Sequence, residues 1–304
     1  MRNRWTMLAV LFLARTAMSV QFQSVGSLSP FLVPDLGLDY AALGTLIGLY
    51  MLPGLVIALP GGVLGRRFGE TRMCLLGLAL MTLGGLLMGL AETYALATIG
   101  GVIINVLLTK MVADWFAGPE MMTAMALFVI SWPVGIGLGL LTLGPLAATT
   151  GWPLVMHVTA AICAISLVLV ALCYRPPAGA AKPTGAGSLA SMFRLGFTGR
   201  GLALVLLAGT LWSLFNVSFI LVVSFAPDFL TAAGHSQTDA GAVVSIATWL
   251  TVIMGPVGGL LAERSGRPGM ILAVSLTRFG AAVAAMTPAA PADECGARKG
   301  TSAL

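Results

Sequence analysis

The chain has 304 residues, 58% of them hydrophobic and only 9% charged, with a mean hydropathy of +0.98. About a quarter of a soluble domain is ordinarily charged, so this surface could not be solvated by water. The net charge of +5 does not point to nucleic acid, because the basic residues fall in short gaps between apolar runs and form no basic face. Cys74, Cys163 and Cys173 lie inside apolar runs and Cys295 in the tail, with no CxxC pair, which argues against a disulfide framework or a zinc site.

A helix needs about 20 mostly apolar residues to cross the roughly 30 Å of hydrocarbon in a bilayer. Nine stretches qualify: 5–30, 40–60, 73–91, 93–113, 121–147, 152–174, 201–227, 239–262 and 269–288. Backbone polar groups in lipid must be satisfied within the protein, and the alternation of a membrane barrel is absent, so these runs are expected to be helices. The basic n-region and apolar start resemble a signal peptide. Apolar character resumes after Arg15, however, and eight further spans follow, so an uncleaved first helix is the simpler reading. The expected organisation is a six-helix half over 1–174, a central loop over 175–200, a partial half of three helices over 201–288, and a polar tail over 289–304.

Arg2, Arg4, Arg66, Arg67, Arg72, Lys110, Arg175, Lys182, Arg194, Arg200, Arg264 and Arg267 all fall at one set of alternate gaps or span ends. The other set holds acids such as Asp35, Asp39, Glu92, Asp228 and Asp239. The positive gaps are expected to face the cytoplasm, which places the amino terminus inside and the chain in the cell (inner) membrane as a multi-pass protein.

Polar residues inside spans mark candidate solute contacts. Arg15 lies about 15 Å into the first span, counted from Trp5 at about 1.5 Å per residue. An arginine there costs at least about 2.5 kcal/mol, so it is expected to face a polar cavity; the alternative is that it snorkels to the headgroups. A guanidinium suits a planar or small anion, which it can hold through two parallel hydrogen bonds. Gln23, Ser24 and Ser27 continue a stripe with Val20 along the same helix, while Gln21 points elsewhere. These side chains, and the midspan amides Asn105 and Asn216, suit either solute contact or helix–helix hydrogen bonding. Gly135, Gly137 and Gly139, after Pro133, suit close packing. His157 suits a structural hydrogen bond better than proton carriage. Arg278 is a further midspan charge. No Asp or Glu lies deep in any span, and there is no HExxH, GxSxG or GxxxxGK[ST] motif, so no enzymatic activity and no cofactor or metal are expected.

Shifted by 197 residues, the sequence matches itself without a gap. Phe22, Val25, Ser27, Pro30, Gly37 and Gly44 meet Phe219, Val222, Ser224, Pro227, Gly234 and Gly241. Gly61, Gly62, Leu64, Arg67, Gly69, Met73 and Leu75 meet Gly258, Gly259, Leu261, Arg264, Gly266, Met270 and Leu272. Parallel halves repeating after six helices are one way to build a transporter with a midplane site between them.

The segment Gly259-x-x-x-Glu263-Arg264-x-Gly266-Arg267 resembles the short-loop signature G-x-x-x-D/E-R/K-x-G-R/K of the major facilitator superfamily. The first copy, Gly62 to Gly69, departs from it: Arg66 stands where the acid belongs and Glu70 where the base does. The stretches "QFQSVGSLSPFL", "NVLLTKMVADWF" and "SWPVGIGLGLL" are similar to the cyanate permease and nitroimidazole transporter branch. The resemblance implies an all-α membrane bundle moving a small anion or small polar organic solute by secondary active transport. Rocking of its halves would provide alternating access. It also implies a conformational gate at Gly62, Arg66, Arg67, Gly69, Gly259, Glu263, Arg264, Gly266 and Arg267. Arg15, Gln23, Ser27, Asn105 and Asn216 would bind substrate, helped by a coupling ion, in a monomer that takes no nucleic acid. Family members have twelve helices, and two repeats of this length would run to roughly 400 residues. The chain is therefore expected to be C-terminally truncated, with a non-transporting remnant and a broad-specificity drug exporter as the alternative readings.

Overall fold

The computed structural model describes residues 4–48, 68–90, 121–175 and 199–286. Within them lie α1 (Arg4–Ser27), α2 (Ser29–Asp35), α3 (40–48), α4 (Glu70–Gly89), α5 (Met121–Thr150), α6 (Trp152–Cys173), α7 (Gly199–Ala232), α8 (Gln237–Ser265) and α9 (Pro268–Met286). The described residues contain no strand, and six of these helices are long and apolar enough to cross a membrane. The architecture is thus an all-α membrane bundle, as expected. The chain divides into two compact units, Met1–Pro256 and Val257–Leu304.

In the first unit α1 is the central helix. It packs chiefly on α5 and also on α6, touches α7 near its carboxyl end, and α4 packs on α6. Its sequence explains this position. Ser19, Gln21, Gln23, Ser24 and Ser27 are all buried within the protein, and a helix so rich in polar side chains is the costliest one to leave facing lipid. Helix association in a bilayer depends on close packing and hydrogen bonds, because lipid is as apolar as the helices themselves. Gln21 supplies both. Its Nε2 donates to the Met81 carbonyl of α4 at 2.8 Å, and its Oε1 accepts from Cys163 Sγ of α6 at 2.6 Å. Gly85 makes room for it: a Cβ there would stand 3.0 Å from both Gln21 Nε2 and Ala160 Cβ.

On its α5 side, α1 relies on Gly135 and Gly139. A Cβ at Gly135 would collide with the Ser19 hydroxyl and the Thr16 carbonyl, and one at Gly139 would press on Gln23. Pro133 and Pro145 also lie inside α5. Thr16 and Ser19 reach the Ser131 carbonyl at 3.4 Å each. His157 is likewise structural, bonding its ring Nδ1 to the Pro153 carbonyl at 2.7 Å.

The 197-residue repeat is visible in the backbone. Helix α2 ends with Leu36 N–H donating to Leu32 O and Leu38 N–H to Val33 O. Helix α7 ends with Ala233 N–H donating to Phe229 O and His235 N–H to Leu230 O, the same pattern moved by one repeat. Each end turns on a glycine with positive φ, Gly37 at 60° and Gly234 at 95°, where a Cβ would be strained. The next helix in each copy is capped by the equivalent residue: Asp39 Oδ1 accepts from Ala42 N–H, and Ser236 Oγ from Asp239 N–H. Gly69 at 90° and Gly266 at 62° form a second such glycine pair.

The second unit comprises the end of α8, the turn at Gly266 and α9. A left-handed glycine closes α8, and Pro268 opens α9, where a missing N–H costs nothing.

The Gln21 clamp predicts a stability effect. Interhelical hydrogen bonds in membranes average about 0.6 kcal/mol. Replacing two of them by Gln21→Leu should therefore lower unfolding stability by roughly 1 kcal/mol in a denaturant titration in mixed micelles.

Candidate functional site

The candidate residues of α1 occupy two levels. Gln23 and Ser27 lie at the carboxyl end, where α1 meets the second repeat. Gln23 Nε2 donates to the Val223 carbonyl of α7 at 2.9 Å and to Ser27 Oγ at 3.4 Å. Its Oε1 is buried and has no hydrogen-bond partner among the described residues. Gly26 touches the same place on α7: a Cβ there would stand 2.9 Å from Ser224 Cα. Gln237, at the start of α8, donates to the Ser27 carbonyl at 3.2 Å and accepts from Thr231 Oγ1 at 3.2 Å. Behind these contacts α8 lies against α5. A Cβ at Gly241 would run into the Leu140 carbonyl, and Gly144 faces the Gln237 side chain. The Trp152 indole donates to Asp35 at 2.8 Å, and the Tyr40 hydroxyl bonds to Asp228. The contacts of Gln23 with Val223, Gly26 with Ser224, Gln237 with Ser27, Gly241 with Leu140 and Tyr40 with Asp228 join the repeats in a seal at the Ser27 end.

Away from that end, α7 loses its cover. Val223 and Ser224 are buried, whereas Leu204, Leu207, Trp212 and Leu214 are all more than half exposed. On α8, Ser245 and Thr248 are buried, but Ile253 and Met254 are exposed. The described contacts between the repeats are therefore gathered at the Ser27 end.

Arg15 lies toward the amino end of α1 from these contacts, eight residues or about 12 Å from Gln23. It is half-buried, and its guanidinium carbon stands 4.6 Å from the centre of the Phe128 ring of α5. Its Nε is buried without a partner among the described residues. A cation–π contact contributes about 0.5–2 kcal/mol, less than the cost of at least about 2.5 kcal/mol for placing arginine at that depth. The contact positions the charge without offsetting the whole cost of its depth. Phe22 and Trp132 pack nearby, with ring centres 5.4 Å apart.

Asn216 of α7 does not join the α1 residues. Its amide Nδ2 donates to the Trp212 carbonyl one turn back at 2.8 Å. Asn105, Gly62, Arg66 and Arg67 lie outside the described residues. In the second unit Arg264 and Arg267 are exposed beside the left-handed Gly266, and Gly259 and Glu263 fall in the last turns of α8. Gly69 immediately precedes α4 with φ of 90°.

A sequence profile of the major facilitator superfamily matches residues 8–294. The chain belongs to this superfamily. Among solved structures, a D-xylose–proton symporter superposes with a TM-score of 0.58 at 15% identity, over 86% of this chain and 69% of that one. A bacterial homologue of the human lysosomal transporter Spinster, captured inward-facing and unoccupied, superposes with a TM-score of 0.59 at 20% identity, over 86% and 63% respectively. At these identities the likeness establishes the fold. No curated protein matches the chain. As a superfamily member it is a membrane transporter.

Sequence reasoning singled out Gln23 and Ser27 but missed Phe128, Gly26 and Gln237. Gly26 carries a weak signal as the one glycine in α1. Phe128 and Gln237 carry none, since an aromatic residue in a span and a glutamine in a turn are both unremarkable.

The seal gives a direct test. Ser224 is 2% exposed, so Ser224→Cys should resist a membrane-impermeant maleimide. Adding Gly26→Leu should push α1 off α7 and raise labelling from background to most of the protein, as read by gel shift.

Proposed function

We propose that this superfamily member is a secondary transporter of a small anion or small polar organic solute, of the cyanate permease and nitroimidazole transporter branch, working by alternating access. In this reading an arrangement with the Ser27 end closed corresponds to an inward-facing state. The observation that carries the reading is Arg15: a cation at mid-span, held over Phe128 and lacking a hydrogen-bond partner at its buried Nε among the described residues. Positive gaps at the Arg4 end of α1 assign that end to the cytoplasm, so the Gln23–Ser27 seal is the outer gate.

Rocking of one repeat against the other would then break the hydrogen bonds from Gln23 to Val223 and from Gln237 to Ser27. The glycine turns at Gly62–Gly69 and Gly259–Gly266, with Arg66, Arg67, Glu263, Arg264 and Arg267, would latch the opposite state on the cytoplasmic face. The protein acts in the cell membrane as a monomer. The D-xylose symporter carries a coupling ion, and a coupling ion is proposed here also.

Arg15→Ala should weaken anion binding by about 1.5–3 kcal/mol, roughly ten- to a hundredfold, the usual worth of a hydrogen bond to a charged group. Arg15→Lys should recover part of it. Concentration-dependent uptake of labelled small anions into proteoliposomes checks this. Unchanged anion uptake in Arg15→Ala would refute the anion site, and apolar dye efflux that persists in that variant would favour a drug exporter.

A further inference from the structure

Beyond the seal, α7 carries Trp212, Phe215 and Phe219 on one face, with ring centres 6.2 and 6.1 Å apart in succession and the second pair stacked. Val223 continues the same face at helical spacing. Phe219 packs against the buried core that holds Val223, which is fully buried and whose carbonyl accepts from Gln23 of the first repeat. That face of α7 is therefore aimed at the first repeat. Farther from the seal Trp212, on this face, is 65% exposed.

The depth of these rings follows from helix direction. Contacts of Arg15 with Phe128, Ser19 with Gly135 and Gln23 with Gly139 show that α1 and α5 run the same way. Contacts of Gly241 with Leu140 and Gln237 with Gly144 show that α8 runs against α5. The four-residue turn 233–236 folds α7 back on α8, so α7 runs with α1. From the crossing at Gly26 and Ser224, Arg15 lies eleven residues back and Trp212 twelve, about 16 and 18 Å. They are also partners under the 197-residue repeat. One wall therefore presents a cation where the other presents a ladder of rings.

We propose that the solute is an aromatic carboxylate, its carboxylate held by Arg15 and its ring laid against the Trp212–Phe215 ladder. This rests on the anion-transport reading above and narrows its substrate class. A carboxylate is flat and accepts two parallel guanidinium hydrogen bonds. Aromatic faces reward an aromatic ring over a saturated one of similar size.

The test is equilibrium binding of radiolabelled benzoate to the purified chain in lipid nanodiscs, with cyclohexanecarboxylate, benzamide and thiocyanate as competitors. Benzoate should bind roughly tenfold tighter than cyclohexanecarboxylate, the worth of one good ring–ring contact. Trp212→Leu and Phe215→Leu should bring that ratio toward one without weakening cyclohexanecarboxylate, whereas Trp212→Phe should keep it. Arg15→Gln should weaken both acids and leave their ratio intact. The wild-type ratio needs no variant, so poor folding of a leucine variant does not protect the proposal.

Equal binding of the two acids, or a ratio insensitive to both leucine variants, overturns the ring contact. The anion reading then survives if Arg15→Gln still weakens both. Benzamide binding as tightly as benzoate, unaffected by Arg15→Gln, overturns the carboxylate and the anion reading together. Binding of thiocyanate alone, dependent on Arg15, overturns the aromatic substrate and keeps the anion site.

Discussion

The structure depends on the burial of one helix that lipid would reject. α1 carries two glutamines, three serines and an arginine in its span, and each needs a partner other than a hydrocarbon tail. Gln21 finds α4 and α6, Ser19 and Thr16 find α5, and Gln23 finds α7. The helix is thereby forced to the middle of the bundle, and glycines on the neighbouring helices let them close around it. Arg15 Nε and Gln23 Oε1 are left buried without a hydrogen-bond partner among the described residues.

The same polar set separates structure from function along one helix. Gln21 is fully committed on both amide atoms within the first repeat. Gln23, two residues on, is committed on one amide atom only, shared between Val223 of the other repeat and Ser27 of its own. Under the proposed rocking, a contact within a repeat would persist, whereas one between repeats would break. Helical spacing placed Gln21 and Gln23 on different faces, and the bundle assigns those faces different duties.

Much of the architecture was legible because lipid leaves few options: apolar runs of spanning length become helices, and the 197-residue offset foretold matching turns. The paired glycines at 37 and 234, with their matching hydrogen bonds, bear this out at atomic detail. The mid-span position of Arg15 was legible because charge in hydrocarbon is expensive. Its partner Phe128 was not, because a cation–π contact needs only a ring at the right height and spans are full of rings. The engagement of Gln23 with a main-chain carbonyl was equally hidden, since every residue offers one. Asn216 showed the limit of the approach: the same amide chemistry that suits a solute also suits the carbonyl one turn below.

In both glutamine contacts that join α1 to the second repeat the acceptor is peptide oxygen, that of Val223 or Ser27. Such an acceptor persists whichever amino acid occupies the position. Mutational drift can thus remodel the apolar surface around residue 223 without erasing the recognition point, while the two donors stay irreplaceable. Over evolutionary time such a closure would diverge unevenly, rigid in its amides and permissive in the helix they grip.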